Sequence, residues 1–554
     1  TRRWSRRPPA VSWWSPRRAE SSRVSSVNYR GRVPTPLRYA ARPAAALAAG
    51  LCLWLAFPDA GLWCRAPGGV ALLGAASLTA GGRRGAALGM LAGLAFFVPT
   101  LSWSGIYVGA LPWFALATLQ ALYIAAMSGV VGFAGRRLVD AGHRALAVAL
   151  VPLGWVVQEW ARGTTPYGGF PWARLAFSQA DSPLAHVARW IGAPGVTLAV
   201  ATVGAGLLVT ASALVERRRD ALLMGLAVSV LPWGAGLLPL PTDGRAVTVG
   251  FVQGNVPKAG LDFNAERRAV LDNHVRGTEL LAPRAPEDLT LVVWPENSSD
   301  IDPLRNADAA AQVERARAAV GVPLLIGAVL AEPVGASSNV SLFYTGEGVE
   351  PQRYTKLHPV PFAEYMPNRD FFRRFSPAVD LAGNFVAGSE IGVFTVPTPA
   401  GPYAALPTIC FEVAYDGLMR DSVLAAGEQE SLLVVQTNNA TFGYTAESEQ
   451  QFAISRIRAI EHGRSVAHVS TVGVSGFIAP DGSVSGKTGL FTAEQEIGVP
   501  VVRDELSPSD RLGPVPEWLA AALLLALVVG SVRSRRSVRV LAPSIRPRED
   551  HTVV

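Results

Sequence analysis

Long apolar stretches dominate the chain as far as residue 241. Seven of them are long enough, or nearly so, for a helix to cross a hydrocarbon layer of about 30 Å, which takes about 20 residues. An eighth stands near the C-terminus, after a long region of different character. The pattern predicts membrane-spanning helices at residues 43–58, 64–81, 85–103, 108–134, 145–161, 190–214, 221–241 and 516–532.

The region 245–505 instead alternates strand-like and helical runs. "AERRAVLDNHVRGTELL" and "SEQQFAISRIRAIEHG" have helical spacing, and Gly463 stands where the second helix would end. Near-continuous apolar strands indicate sheets that are covered on both faces, so we expect an α/β domain with two packed sheets. The predicted strands are "AVTVGFVQGN", "DLTLVVWPEN", "VPLLIGAVL", "NVSLFYTGEG", "YAALPTICFE", "SLLVVQTNN" and "SVAHVST".

Arginine residues follow alternate apolar segments, on the side shared with an arginine-rich N-terminal tail. Under the positive-inside rule this side is cytoplasmic, so both termini are expected inside and the region 245–505 outside. No cleavable apolar segment precedes residue 43, so the first segment is expected to be retained. Residues 1–42 and 533–554 are predicted to be disordered cytoplasmic tails. The arginines concerned are Arg83, Arg84, Arg136, Arg137, Arg144, Arg217, Arg218, Arg219, Arg533, Arg535 and Arg536.

Composition and charge support a membrane protein and argue against a nucleic-acid-binding one. The mean hydropathy is +0.26 and 17% of the residues are charged. The net charge is +7, yet the first 43 residues hold eleven arginines against Glu20 alone, so the remainder of the chain is net negative. A folded region without net positive charge lacks the electrostatic footprint of nucleic-acid binding. The basic tail is more typical of contact with anionic membrane lipids.

The stretch "ALPTICFEVAYDG", residues 405–417, contains the only cysteine of the chain's water-soluble region. Cys52 and Cys64 lie in or beside apolar segments, and three cysteines cannot form a disulfide framework. Cys410 is therefore either a packed core residue or a nucleophile. A cysteine inside an apolar strand is by itself more often a packing residue.

Three predicted strands end in side chains that acyl-transfer chemistry uses. "LVVWPEN" ends in Glu296, "RYTKLHPVPFAEYMP" contains Lys356, and "LPTICFE" contains Cys410. Functional sites gather where strands end and loops converge. A carboxylate could take the proton of a thiol, and an ammonium could stabilise an oxyanion. A lone glutamate or lysine is also a common surface residue, so spacing alone leaves both interpretations open.

The motifs "WPE", "YTKLHPVPFAEYMP" and "CFE", in this order, resemble the Glu-Lys-Cys motifs of the nitrilase superfamily of carbon-nitrogen hydrolases. Together with eight membrane segments they resemble the apolipoprotein N-acyltransferase family, from about residue 40 to 532. The resemblance implies a seven-helix membrane domain at 43–241, an extracytoplasmic nitrilase-like domain at 245–505 and an eighth helix at 516–532. It implies an α-β-β-α four-layer sandwich for the nitrilase-like domain.

The resemblance also implies residue roles. Glu296 would be the general base, Lys356 the oxyanion partner and Cys410 the acylated nucleophile. Glu364 would steady Lys356 or the substrate amine, and Glu412 would lie beside the nucleophile. The run "GGFPWARLAFSQ", residues 168–179, resembles the family's loop that faces the catalytic domain. No cofactor and no metal are implied, and the chain has no P-loop and no cluster of His and Cys ligands.

Some positions depart from the family pattern. Phe411 stands where members often have Tyr, and Phe263 stands where a Trp is expected. Asn438 and Thr441 lie in "TNNATFG", where "SNDAWFG" is common, so Thr441 replaces a bulky aromatic residue. These changes imply an altered preference for the acyl chain or the acceptor, and none of them removes the three central residues.

The resemblance implies acyl transfer from a membrane phospholipid to the α-amine of an S-diacylglyceryl cysteine of an apolipoprotein, through a Cys410 thioester. Two alternatives stay open on the residues alone. The same three residues could serve a membrane-tethered amidase, with water as the acceptor. The chain could also be a transporter or scaffold with a vestigial outer domain, which charges buried within the helices would favour. Glu159 is the one candidate for such a charge, and its position predicts an interfacial side chain.

Overall fold

The structure is a computed structural model that describes residues 35–257, 267–375 and 377–540. Helices make up the part before residue 238, and an α/β part follows from residue 245 before a last long helix. The helices are α1 Thr35–Leu55, α2 Arg65–Ser77, α3 Gly82–Thr100, α4 Ala110–Asp140, α5 Arg144–Thr164, α6 Ala188–Glu216, α7 Arg219–Val230, α8 Arg267–Leu281, α9 Ala307–Val320, α10 Arg369–Phe372, α11 Asp416–Ala425, α12 Glu447–His462, α13 Pro508–Leu512 and α14 Val515–Val540.

Each predicted apolar segment coincides with a helix, namely α1 to α7 and α14. Within the described ranges, four helical stretches are long and apolar enough to cross a membrane: Ala110–Asp140, Pro183–Glu216, Arg219–Leu237 and Val515–Arg533. The stretch Ala41–Leu55 is apolar but shorter. The helical character of all eight segments is therefore confirmed, whereas the count of eight spans stays a prediction.

Small residues let α3 and α4 approach each other closely. A Cβ atom added at Gly85 would lie 2.4 Å from the carbonyl oxygen of Ser128, and one at Gly89 would lie 2.6 Å from that of Ile124. The glycines recur every fourth residue and so share one face of α3. Backbone contact of this kind is how helices associate where lipid removes the hydrophobic driving force.

The α/β part contains two six-stranded sheets and a short pair formed by its first and last strands. All seven strands and both helices predicted from the pattern are present, and Gly463 ends α12 with a left-handed φ of 58°. The strands are β1 Arg245–Ala246, β2 Thr248–Gln253, β3 Leu289–Val293, β4 Leu324–Leu330, β5 Ser338–Tyr344, β6 Gln352–Thr355, β7 Phe394–Val396, β8 Tyr403–Ile409, β9 Ser431–Thr437, β10 Val466–Ser470, β11 Gly476–Ile478, β12 Val484–Ser485, β13 Glu494–Gly498 and β14 Val501–Val502.

One sheet has the order β13-β2-β3-β4-β5-β6 and the other β12-β11-β10-β9-β8-β7. In both, the central strands pair in parallel and the outer strands antiparallel. Parallel central strands need helical crossovers, which explains why α8, α9, α11 and α12 cover the outer faces.

The cores show the four layers. Phe251 and Val293 of one sheet pack in the same buried cluster as Val434 and Val469 of the other, so the two sheets face each other. Helices α8 and α9 cover the outer face of the first sheet. Helices α11 and α12 cover the second sheet, and their cluster is continuous with that of the membrane-type helices. The α-β-β-α sandwich is therefore confirmed, with one outer layer packed directly against the helical part.

Candidate active site

Three polar side chains leave the ends of strands and meet between the two sheets. Glu296 follows β3, Lys356 directly follows β6 and Cys410 directly follows β8. Strands β3 and β6 belong to one sheet and β8 to the other, so the site lies where the edges of the two sheets converge. Glu296 and Lys356 are 4% and 1% exposed.

Glu296 is held by three donors. Its Oε1 accepts from Lys356 Nζ at 3.2 Å and from Asn339 Nδ2 at 2.6 Å, and its Oε2 accepts from the backbone N–H of Asn438 at 2.8 Å. Burial raises the pKa of this carboxyl and the charge of Glu364 adds to the rise, although the Lys356 ammonium opposes both. A carboxylate with a raised pKa is a competent proton acceptor for a thiol.

Lys356 lies between two carboxylates. Its Nζ donates to Glu364 Oε1 at 2.9 Å as well as to Glu296. Burial acts to lower the pKa of Lys356, but the charges of Glu296 and Glu364 outweigh it and hold the pKa well above its usual range. The side chain is therefore a fixed ammonium, which suits a group that stabilises negative charge.

Cys410 adopts a backbone conformation that is uncommon for a side-chain-bearing residue. Its φ is 56°, in the left-handed region, at the turn that follows β8. Such outliers cluster at active sites. Burial raises the pKa of the half-buried thiol and Glu296 adds to the rise, while the Lys356 charge opposes it. The thiol thus rests protonated and needs a base before it can attack.

Glu412 is a structural carboxylate beside the nucleophile. Its Oε1 accepts from the backbone N–H groups of Leu357 and His358 at 2.7 and 3.0 Å. Its Oε2 accepts from the Tyr354 hydroxyl at 2.9 Å and from the backbone N–H of Ile409 at 2.7 Å. Glu412 therefore ties the segment that carries Lys356 to the turn that carries the thiol.

Glu364 has both oxygens engaged. Its Oε1 also accepts from Asn339 Nδ2 at 3.1 Å, and its Oε2 accepts from the backbone N–H of Val360 at 2.7 Å. Glu364 thereby closes the loop of residues 356–364 on itself and steadies the ammonium of Lys356.

Phe411 joins the nucleophile turn to the helical part. Its ring stacks on Phe170 with centroids 5.3 Å apart and on Trp172 with centroids 5.6 Å apart. Both partners belong to the run 168–179, so the expectation that this loop faces the catalytic domain is confirmed. Trp172 Nε1 also donates to Gln450 Oε1 of α12 at 2.8 Å.

A buried ion-pair network strengthens the same junction. Arg174 Nη1 bonds Asp416 at 2.5 Å, and Arg458 of α12 bonds the other oxygen of Asp416 at 2.6 Å. Arg174 Nε also lies 3.5 Å from Glu159 Oε2. Glu159 is 2% exposed, because it accepts from Leu175 N and Thr197 Oγ1 within the folded junction. Its location at the membrane interface stays a prediction.

Of the remaining predicted site residues that the structure describes, only Asn438 has a hydrogen bond to one of the three central residues. Asn438 contacts Glu296 through its backbone, while its side chain accepts from the N–H of Ala440 at 3.0 Å. Thr441 is half-buried in a 3₁₀ turn at Ala440–Phe442. Phe263 lies outside the described residues.

Two site residues were not identified from the sequence. Asn339, in the buried strand β5, bonds both Glu296 and Glu364. Gln451 of α12 donates from Nε2 to Cys410 Sγ at 3.7 Å. The available signal was that each is a polar residue in an otherwise buried run, "SSNVSLFY" and "EQQFAIS". A buried amide needs hydrogen-bond partners, and here those partners are the side chains of the candidate active site.

The arrangement is suited to acyl transfer through a thioester. It combines a thiol, a carboxylate with a raised pKa and a fixed ammonium in a buried site. The carboxylate can shuttle the proton, the sulfur can hold the acyl group and the ammonium can stabilise the tetrahedral oxyanion.

Comparison with known families matches both parts of the chain. Residues 49–206 match the family model of the apolipoprotein N-acyltransferase N-terminal domain. Residues 248–502 match that of the carbon-nitrogen hydrolases. The two matches follow each other in the order of the helical and α/β parts.

Individual relatives extend over most of the chain. An apolipoprotein N-acyltransferase of Mycolicibacterium smegmatis is 38% identical over 538 residues, covering 87% of this chain and 85% of the relative. One of Methylococcus capsulatus is 30% identical over 501 residues, covering 89% and 95%. Among solved structures, an amidase of the nitrilase superfamily from Nesterenkonia is 14% identical, with a TM-score of 0.36 over 50% of this chain and 97% of that one.

Proposed function

The chain belongs to the apolipoprotein N-acyltransferase family, and from that premise we propose that it transfers a fatty acyl chain from a membrane phospholipid to the α-amine of an N-terminal S-diacylglyceryl cysteine. N-acylation of lipoproteins follows from family membership; the donor, the intermediate and the residue roles are the proposal. The observation that carries it is the buried contact of 3.2 Å between Glu296 and Lys356, whose charges both act on the thiol of Cys410.

In the first half-reaction the thiol becomes acylated. Glu296 accepts the proton of the Cys410 thiol, and the sulfur attacks the ester carbonyl of the phospholipid. The Lys356 ammonium stabilises the tetrahedral oxyanion, an effect worth about 10²–10³ in rate for one donor. The ester C–O bond then breaks, the lysophospholipid oxygen takes the proton from Glu296, and the acyl group remains on sulfur as a thioester.

In the second half-reaction the lipoprotein amine takes the acyl group. The neutral α-amine attacks the thioester carbonyl, and Lys356 again stabilises the oxyanion. Glu296 accepts the proton that the nitrogen loses as the C–S bond breaks, and returns it to the Cys410 sulfur. The products are an amide and the free thiol, so the cycle consumes no other reactant.

The neighbouring residues support these steps in separate ways. Glu364 and Glu412 position Lys356 from two sides and do not exchange protons with substrate, because their oxygens are occupied. Asn438 positions Glu296 through its backbone N–H. Phe411 and Thr441 shape the surroundings of the nucleophile and contribute to the choice of acyl chain or acceptor.

The membrane location explains the domain arrangement. All eight apolar helices span the membrane, both termini are cytoplasmic and the domain 245–505 lies on the extracytoplasmic side, in keeping with the arginines that follow alternate segments. Both substrates are anchored in lipid. Phe170 and Trp172 hold the catalytic site against the helices, so the site can reach the reacting groups of these substrates near the depth of the lipid headgroups.

The test is a transfer assay with the purified chain in phospholipid vesicles. A diacylated lipopeptide with a free α-amine is added, and its mass is followed. We expect triacylated lipopeptide, together with an acyl adduct on Cys410 when the lipopeptide is omitted. Cys410→Ser should form neither, and transfer at the parent rate by Cys410→Ser would refute the mechanism.

The same assay separates the alternatives. A membrane-tethered amidase would release free fatty acid or hydrolyse small amides without forming triacylated product. A transporter or scaffold would tolerate substitution of Glu296, Lys356 and Cys410 in cells that depend on the chain. Cys52→Ser is the matched control, because it removes a thiol from α1 and leaves the site intact.

A further inference from the structure

Gln451 lies directly against the sulfur of the candidate nucleophile. It is fully buried on α12, and its Nε2 lies 3.7 Å from Cys410 Sγ. Within the described residues neither Glu296 nor Lys356 has a hydrogen bond to that sulfur, whereas the amide of Gln451 and the side chain of Thr437 both lie within hydrogen-bonding reach of it.

The orientation of this amide is determined by a chain of hydrogen bonds that starts at the backbone. The N–H of Gly473 can only donate, and it donates to Ser470 Oγ at 2.7 Å. The hydroxyl proton of Ser470 is therefore available to Asn439 Oδ1, at 2.5 Å. Asn439 Nδ2 in turn donates to Gln451 Oε1 at 2.9 Å.

Two further contacts agree with the direction of this chain. The Thr437 hydroxyl donates to Gln451 Oε1 at 2.8 Å, so that oxygen receives two donors. Glu447 Oε2 accepts from Asn439 Nδ2 at 2.6 Å, which agrees with an NH₂ group on this side of Asn439. With Oε1 turned towards Thr437 and Asn439, Gln451 can direct only N–H towards Cys410.

We propose that Gln451 is a catalytic residue that donates a hydrogen bond to Cys410 Sγ and stabilises the thiolate in both half-reactions. The inference rests on the proposed role of Cys410 as nucleophile. The sulfur carries negative charge when it attacks the phospholipid ester, and again when it leaves the thioester as the amine adds. A donor that cannot be deprotonated favours both states without taking part in proton transfer.

Asn439 and Glu447 are positioning residues in this proposal. Asn439 transmits the orientation from Ser470 to Gln451, and Glu447 holds Asn439 from the other side. The titratable groups that face Cys410 are Glu296 after β3, Lys356 after β6 and Glu447 on α12. None of them is altered by a substitution at Gln451, so a change in the thiol reports on the amide.

The test is the pH dependence of Cys410 alkylation by iodoacetamide, followed by mass spectrometry of the peptide that contains Cys410. Gln451→Met retains most of the volume and removes the donor. We expect the midpoint of its alkylation profile to rise by about one pH unit, with about a tenfold lower rate at a fixed pH below the midpoint. The full-length protein in lipid vesicles serves for all variants.

Two further variants make the outcome decisive. Gln451→Leu also removes the amide N–H without adding a charge beside the thiol, and its midpoint should rise as well. Ser455→Ala, one turn further along α12 where Ser455 Oγ contacts His468 Nδ1 at 2.8 Å, should leave the midpoint unchanged. An unchanged midpoint in a folded Gln451→Met or Gln451→Leu protein would overturn the proposal.

This readout is independent of lipid substrates. If the phospholipid and lipopeptide assay gave no acyl adduct on Cys410, the proposed function would fail while the alkylation midpoints still reported the hydrogen bond. If the adduct formed normally and the midpoints did not move, the role of Gln451 alone would be refuted.

Discussion

Trp172 lies face to face with Phe411: their ring centroids are 5.6 Å apart and their planes differ by 11°. Trp172 belongs to the loop between α5 and α6, whereas Phe411 directly follows the candidate nucleophile. The position of the thiol relative to the helical part is thus determined by an aromatic contact across the junction of the two parts.

The contact can be measured with a double-mutant cycle of Trp172→Leu and Phe411→Leu. We expect a coupling of about 0.5–1.5 kcal/mol in the free energy of unfolding in detergent, because stacked aromatic pairs contribute this much beyond their buried area. Both single variants should also lower the rate of acyl transfer. The pair Phe343 and Phe394, stacked at 5.2 Å between the sheets, is the control: Phe394→Leu should destabilise the fold without changing the rate per folded molecule. Additive effects at Trp172 and Phe411 would contradict the prediction.

Gly327 of β4 determines where Glu296 lies. A Cβ atom at this position would be 2.3 Å from the carbonyl oxygen of Pro295 and 2.6 Å from Cα of Glu296. We therefore expect Gly327→Ala to displace Glu296 and reduce kcat of acyl transfer by at least about tenfold, since misplacement of about 1 Å can cost about 10² in rate. Gly346→Ala is the matched control, because its nearest neighbour would be a flexible Val349 methyl at 3.5 Å. Parent activity in Gly327→Ala would refute the steric account.

The rate of transfer should report the raised pKa of Glu296. Burial and the Glu364 charge both raise this pKa, and the base works only when ionised, so activity is lost as the pH falls through the raised value. Glu364→Gln removes one negative charge, so the acidic limb of the kcat/KM profile should move to lower pH. The profile is measured with the lipopeptide assay. A limb that stays in place or moves to higher pH would contradict the assignment of Glu296 as the base.

Stability should depend on pH through Glu447. Burial is the main cause that raises the pKa of this carboxyl to about 8 from an ordinary value of 4.5. The folded state therefore binds a proton that the unfolded state releases in this interval, so its stabilising contribution is complete below pH 4.5 and is lost as the pH rises towards 8. Each unit of difference corresponds to about 1.4 kcal/mol.

Glu447→Gln should remove this dependence, because the amide stays neutral and can still accept from Asn439. The measurement is the free energy of unfolding in detergent at several pH values across that interval. We expect the stability of the parent protein to fall with pH more steeply than that of Glu447→Gln. Parallel curves would show that Glu447 is ionised in the folded protein.

The pattern of apolar residues was sufficient to predict most of the elements. Membrane-type helices and buried strands are recognised from runs of neighbouring residues, and burial on all sides makes those runs continuous. The short antiparallel strands β6, β7 and β11 to β14 were not predicted, since their stability comes from pairing with neighbours that are distant in sequence.

The candidate site was predicted in part. Glu296, Lys356 and Cys410 stood at the ends of recognisable strands, and motif resemblance grouped them. Asn339 and Gln451 belong to no recognisable motif. An amide side chain within a buried run does not indicate a functional site until its hydrogen-bond partners are known. The burial of Glu159 could not be predicted either, since its partner Arg174 follows it only after a loop whose path the sequence does not reveal.

By itself, therefore, the sequence determined which segments are helices or strands, which parts are apolar enough to meet a membrane and which residue types are available for acyl transfer. Only the tertiary structure decided that Lys356 lies between Glu296 and Glu364, that Gln451 presents an N–H to Cys410 and that Trp172 covers Phe411. The physical reason is the distance along the chain over which each kind of interaction acts. Periodicity and burial are properties of adjacent residues, whereas the direction of a side-chain hydrogen bond depends on which distant backbone and side-chain groups packing brings within about 3 Å.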